Sequence, residues 1–259
     1  MKAVVVAHPD DEALWLSSVL SSADRIVFGF GDVFNEPEMS EARRRAVAAL
    51  PLSGIINLGI PESGAGWKPT QVQPELTPSD IRIFDAAARA RYESNYVKLL
   101  DGLRASLAGC RDVYTHNPWG EYGHSEHIQV YSAVTALQDE LGYTVWFSNY
   151  VGGQNWNFVR RLAESLSWTQ RSTVKPDVTI ARKLMRVYRH YGAWTYKRFR
   201  RSPSREVMYA QPPGNSSETR HPFRGEWLLD VERLRWWSPP WRSAWRCLSD
   251  AGDPTKAPR

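Results

Sequence analysis

Cysteine is almost missing from this chain. Two residues, Cys110 and Cys247, allow one pairing at most and exclude a disulfide framework. Long apolar runs are missing too. The first, Ala3–Ala7, stops at His8 after five residues, too short for a signal peptide or a membrane span, so the expected location is the cytoplasm. No internal repeat is visible, which excludes solenoids and propellers. Neither hydrophobic residues, at 42%, nor charged ones, at 24%, depart from the soluble globular norm, which excludes a disordered chain or a coiled-coil rod. A length of 259 residues fits one large domain or one domain with an extension.

Two features stand in excess. The net charge is +5 with a pI near 9.2, which favours an anionic partner without naming it. Tryptophan reaches 12 residues, and indole faces serve sugar stacking, membrane interfaces and ordinary cores alike.

Along the first 150 residues, apolar runs alternate with segments of helical period. Lys2–Ala7, Arg25–Phe30, Ile55–Leu58, Asp112–His116 and Tyr143–Phe147 read as strands, and the unbroken apolar character of the first is that of a strand buried on both faces. Ser40–Leu50, a segment starting at Thr77-Pro78-Ser79-Asp80, and the run carrying His127, Val130, Val134, Leu137 and Leu141 read as helices. Residues 59–76 and 211–222 read as loops. This order predicts a three-layer α/β domain with a mainly parallel sheet, Rossmann-like in outline. The expected division is an α/β core over residues 1–175 and an extension over 176–259 packed on the same domain, with loose terminal residues.

Chemistry concentrates at strand ends. His8-Pro9-Asp10-Asp11-Glu12 follows the first strand, and Tyr122-Gly123-His124-Ser125-Glu126-His127 follows the strand at 112–116. Both therefore fall on the carboxyl edge of the sheet, where open α/β sheets bind ligands. Imidazole and carboxylate form a zinc donor set. With two adjacent carboxylates, one can hold metal while the other takes a proton. The plainer reading of Asp10 and Asp11 is that they favour the start of the next helix. Four of six histidines, His8, His116, His124 and His127, fall at strand ends, which weighs against solvated side chains.

These paired motifs resemble the zinc-dependent de-N-acetylases of the PIG-L/LmbE family, over roughly residues 1–150. The resemblance implies a metal site of His8, Asp11 and His127 and a general base in Asp10. It implies that His124 stabilises an oxyanion or protonates a leaving amine, and that Tyr122 polarises the amide carbonyl. Glu126 stands where many members carry Asp, and would orient a histidine. Asp32 and Glu62 fall near positions that bind sugar hydroxyls, and Arg43 and Arg44 lie close to a substrate arginine without matching its register. The implied cofactor is Zn2+, replaceable by Fe2+, Co2+ or Mn2+. The implied activity is removal of acetyl from an N-acetylated amino sugar of the N-acetylglucosamine type. The sugar would belong to a larger conjugate, anionic or lipid-linked among the options. The alternatives are an amidase of the same fold acting on a bulkier acyl or thiol conjugate, and a non-catalytic glycan- or membrane-binding protein.

Beyond residue 150 the pattern weakens. Val178–Arg205 holds nine Lys or Arg and no acid, with a helix at Ala181–Tyr191. Arg235-Trp-Trp-Ser-Pro-Pro-Trp-Arg-Ser-Ala-Trp-Arg246 is either an edge cover with solvated arginines or an acceptor platform suited to peripheral membrane contact. No nucleic-acid module is recognised.

Overall fold

The computed structural model describes residues 1–75, 81–196, 202–214, 216–232, 234 and 244–248. Its centre is a seven-stranded sheet. In chain order the strands are β1 (Lys2–Val6), β2 (Arg25–Asp32), β3 (Ile55–Pro61), β4 (Asp112–Thr115), β5 (Thr144–Ser148), β6 (Gln170–Val174) and β7 (Glu206–Gln211). They lie in the order β6-β7-β5-β4-β1-β2-β3. The five from β5 to β3 are parallel, while β7 pairs antiparallel with both β5 and β6.

Strand period sorts the core into two layers. On β1, Ala3 and Val5 face a cluster with Leu99, Leu103, Val130 and Val134, from α3 (Ala86–Leu107) and α4 (Ser125–Ala136). Val4 and Val6 face the other way, toward Ala42, Ala46, Leu184 and Tyr188, from α2 (Pro37–Ala48) and from α6 (Val178–His190), which follows α5 (Trp156–Leu162). All four β1 side chains are wholly buried, as the continuous apolar run required. Helices on both faces of the sheet make the three-layer α/β fold that the alternation predicts.

Several local readings change. The helix after the acidic motif, α1, is a single turn, Asp11–Trp15. Strand β2 runs two residues beyond the expected Arg25–Phe30 and ends on Gly31 and Asp32. The helix start at Thr77–Asp80 lies outside the described residues. Ile81–Ile83 is instead a strand paired with Val72–Pro74, and α3 begins at Ala86 beneath the Asp85 cap. In the stretch from 211 to 222, His221-Pro222 pairs with Ser167-Trp168. Glu206–Gln211, from the patternless half, is a buried strand inside the main sheet. Most of the Arg235–Arg246 segment lies outside the described residues, as do the last residues. Trp245–Cys247 closes a small sheet with Trp227–Asp230 and Tyr150-Val151. Both cysteines are free and buried. Among the described residues no helix is long and apolar enough to cross a membrane.

Strand order reverses between β1 and β4, and that reversal opens a crevice at their carboxyl ends. His8 follows β1 and His116 follows β4, so the topology delivers both histidine-bearing segments to one place.

Candidate functional site

The centre of the crevice is Asp11 Oδ2. His8 Nδ1 lies 3.1 Å from it and His127 Nε2 lies 3.3 Å from it. Asp11 is buried and fixed from two sides. Its Oδ1 accepts the indole N–H of Trp15 at 3.1 Å, and its Oδ2 accepts the His8 backbone N–H at 2.8 Å.

Each of the two histidines is backed by a carboxylate. His127 Nδ1 lies 2.6 Å from Glu121 Oε2, so that nitrogen carries the ring proton and Nε2 keeps a lone pair. That Nε2 is buried and makes no hydrogen bond. His8 Nε2 lies 2.8 Å from Glu126 Oε2, which leaves Nδ1 facing Asp11 in the same way. A carboxylate holding one ring nitrogen while the other faces a shared centre is the arrangement that orients metal-binding histidines.

The two contacts to Asp11 Oδ2 have the spacing of a shared cation. Among the described residues the groups whose ligand atoms all lie within 4.8 Å of one another are Asp11 with His116 and His127, His8 with His124 and His127, and His8 with Glu62 and Glu126. Ligand atoms about 2.0–2.1 Å from one tetrahedral zinc stand about 3.3–3.4 Å apart. The two separations around Asp11 Oδ2 are 3.1 and 3.3 Å. His116 is also 3.5 Å from that oxygen, but its Nε2 accepts the Ala7 backbone N–H at 2.9 Å, so its lone pair is taken. His116 instead buttresses His127. The rings stack at 3.9 Å, and both Nδ1 atoms share Glu121 Oε2.

Glu121 has no exposure, and its backbone sits at φ 53°, an uncommon conformation for a non-glycine residue. Flanking glycines make the turn. A Cβ on Gly123, at φ 96°, would meet Asn155 Oδ1 at 2.6 Å. Burial alone would raise the Glu121 carboxyl, but His116 and His127 hold it down at about 2. For His8, burial disfavours the charge, but Asp11, Glu126 and Glu62 outweigh it and push it up to about 10. A bound cation would replace that proton.

The other expected residues divide into two groups. His124 stacks on His127 at 4.7 Å, and its Nδ1 accepts the Glu126 N–H as the cap of α4. Its Nε2 therefore carries the proton of a neutral ring, and burial with His127 and His8 beside it holds His124 well below the usual imidazole range. Tyr122 stands edge-on to His127 at 5.5 Å, between Trp15 and the exposed Trp67. Asp10, also buried, is raised to about 6 by its burial and by Asp11. Glu126 Oε1 is anchored by the backbone N–H and hydroxyl of Ser63, so the longer side chain does reach a histidine. Glu62 Oε1 lies 3.6 Å from His8 and accepts from Arg43 at 2.6 Å. Arg43 is buried, because this pair draws it under the crevice. Arg44 and Asp32 pair with each other at the surface.

Sequence reading left several contributors without a role: Glu121, His116, Trp15, Glu12, Tyr188 and Thr195. Glu121 carried a weak signal, an acid between two glycines just before the histidine pair. The last two lie too far along the chain for any motif to connect them.

No family model matches the chain. Solved structures similar to it include a deacetylase–teicoplanin complex in the biosynthesis pathway of teicoplanin, at 9% identity and a TM-score of 0.50. A zinc-inhibited form of teicoplanin deacetylase matches at 11% and 0.50, and a deacetylase-bog complex from the same pathway at 10% and 0.52. Each covers 83% of this chain and the whole of its own. The fold is shared with teicoplanin deacetylases. At these identities the likeness is one of architecture, and the argument for chemistry rests on the residues.

Proposed function

We propose that this protein is a metal-dependent hydrolase that removes the acetyl group from an N-acetylated amino sugar carried on a larger conjugate. The observation that carries this reading is the buried face-off between Asp11 Oδ2 and the unpartnered His127 Nε2, with Glu121 behind the imidazole. Two acceptors turned toward each other out of water call for a cation between them. His8, Asp11 and His127 would hold it, and three protein ligands leave a position open for chemistry. Zinc fits the mixed nitrogen and oxygen donors, and Fe2+, Co2+ and Mn2+ are substitutes that the same donor types accept. When bound, such an ion acidifies water and polarises an amide carbonyl.

The chain's own groups do the rest. Asp10, whose Oδ1 takes no hydrogen bond from any described residue, accepts the proton of the attacking water. His124, neutral with its proton on Nε2, donates to the oxygen that becomes negative as the carbonyl is attacked. The Tyr122 hydroxyl is kept protonated by its burial and by the nearby Asp11 and Asp10, and is a second donor on that side. The motif resemblance to PIG-L/LmbE de-N-acetylases and the shared fold both support acetyl as the group removed. A glycopeptide-type conjugate joins glycolipids, cell-surface glycan precursors and soluble metabolites as substrates to test.

The experiment is acetate release by zinc-loaded protein from such a panel of N-acetylglucosaminyl conjugates. Release by the wild type and none by Asp10→Ala with zinc still bound is the expected result. Turnover by Asp10→Ala at the wild-type rate would reject the assigned base. Zinc binding without release from any conjugate would move the reading to a bulkier acyl group.

A further inference from the structure

Asp10 is held by a part of the chain that lies 185 residues away and outside the region of resemblance. Its Oδ2 accepts two hydrogen bonds from one residue, the backbone N–H of Thr195 at 3.1 Å and its hydroxyl at 2.6 Å. The backbone of Asp10 is held by the same part of the fold. Asp10 sits at φ 110°, a left-handed conformation rare outside glycine. Its N–H donates to Glu12 Oε2 at 3.0 Å, and Glu12 Oε1 accepts the Tyr188 hydroxyl at 2.8 Å. Tyr188 is wholly buried on α6. The chain leaves α6 at Gly192 and turns back. Ala193 is buried with its N–H on the Tyr188 carbonyl at 2.8 Å, and this places Thr195 over Asp10. Thr195 is itself exposed, while Asp10 retains 2% of its surface.

From this geometry we infer that Thr195 is a positioning residue for Asp10, tying down Oδ2 so that Oδ1 alone is presented for proton transfer. The inference rests on the deacetylase reading for what Asp10 does, but the contact itself stands on the structure. A carboxylate without such a tether rotates between orientations, and a proton acceptor must stay within hydrogen-bond reach of its donor to act. Two donors converging on one charged oxygen are stronger than neutral pairs and fix direction as well as distance. The segment after α6 thereby becomes part of the reacting centre's frame rather than a cover for the sheet edge.

The test uses Thr195→Val and Thr195→Ser in the full zinc-loaded chain, with acetate release from the N-acetylglucosaminyl conjugate that the wild type hydrolyses fastest. Valine keeps the shape at an exposed position and removes the hydroxyl. The expected result is a kcat roughly tenfold lower with KM and zinc content unchanged, as for loss of one hydrogen bond to a charged group. Thr195→Ser should recover most of that loss. A second readout needs no turnover: in Asp10→Ala, exchange of the Thr195 amide should speed up at least tenfold while strand Glu206–Gln211 stays protected. Wild-type kcat in Thr195→Val, or unchanged exchange at Thr195 in Asp10→Ala, would overturn the inference. Absence of acetate release by the wild type would count against the deacetylase reading instead, and the amide exchange would still decide the tether.

Discussion

Arg43 and Arg44 are neighbours on α2, and each makes a short ion pair. Arg43 lies 2.6 Å from Glu62 and Arg44 lies 2.5 Å from Asp32. The Arg43 and Glu62 side chains retain 5% and 16% of their surface, against 50% and 41% for Arg44 and Asp32. Nearly equal distances therefore hide unequal consequences. In the crevice a charge deprived of its partner has no water to replace it, whereas at the rim water takes over. The same contrast separates the histidine–carboxylate cluster from the basic residues over the remaining surface, and it ranks what substitutions should do.

The largest effect is expected inside the cluster. Asp11→Ala and His127→Ala should each abolish stoichiometric zinc binding and with it activity, read by metal analysis of dialysed protein. Glu121→Gln comes next. An amide can accept through only one of its ends, so the pair of imidazoles loses its shared anchor, and zinc affinity should fall about 10–100-fold. A competition titration against a chelator measures it. Glu62→Ala leaves Arg43 buried without its partner and should lower stability by about 3–5 kcal/mol in denaturant unfolding. Asp32→Ala, the same deletion at the rim, should lower it by about 0–1 kcal/mol. Equal losses in the last two would break the comparison between crevice and surface. Acidification supplies a further check. Imidazoles and a carboxylate bind a cation only without their protons, so zinc affinity should fall as pH drops, and a chelator should strip the ion more readily at pH 5 than at pH 8.

The legible part of the molecule was the part encoded locally. β1 announced itself because both its faces are buried, and the two motifs announced themselves because each packs several ligating types into six residues or fewer. Topology then needed only the rule that strand ends carry sites. What stayed hidden depends on partners distant in sequence. Strand Glu206–Gln211 buries five consecutive residues, the acid Glu206 among them, so it shows no alternation; it follows a basic stretch and enters the sheet antiparallel, unlike the parallel strands of the first half. Thr195 is a single threonine in a loop, with meaning only once α6 has brought it to Asp10. Glu121 directly precedes the second motif, but its role needed His116 and His127 stacked at 3.9 Å, which spacing alone does not give. Arg43 could not be told from its neighbours, because nothing in Arg43-Arg44-Arg45 says which faces Glu62.

The central claim is that the buried strand-end cluster is a cation site built on Asp11. The most direct measurement is calorimetric titration of zinc into chelator-stripped wild type and into Asp11→Ala. The account predicts one tight equivalent in the wild type and none in the variant, with circular dichroism showing both folded. A wild type that takes up no zinc, or an Asp11→Ala variant that binds it as tightly, would contradict it.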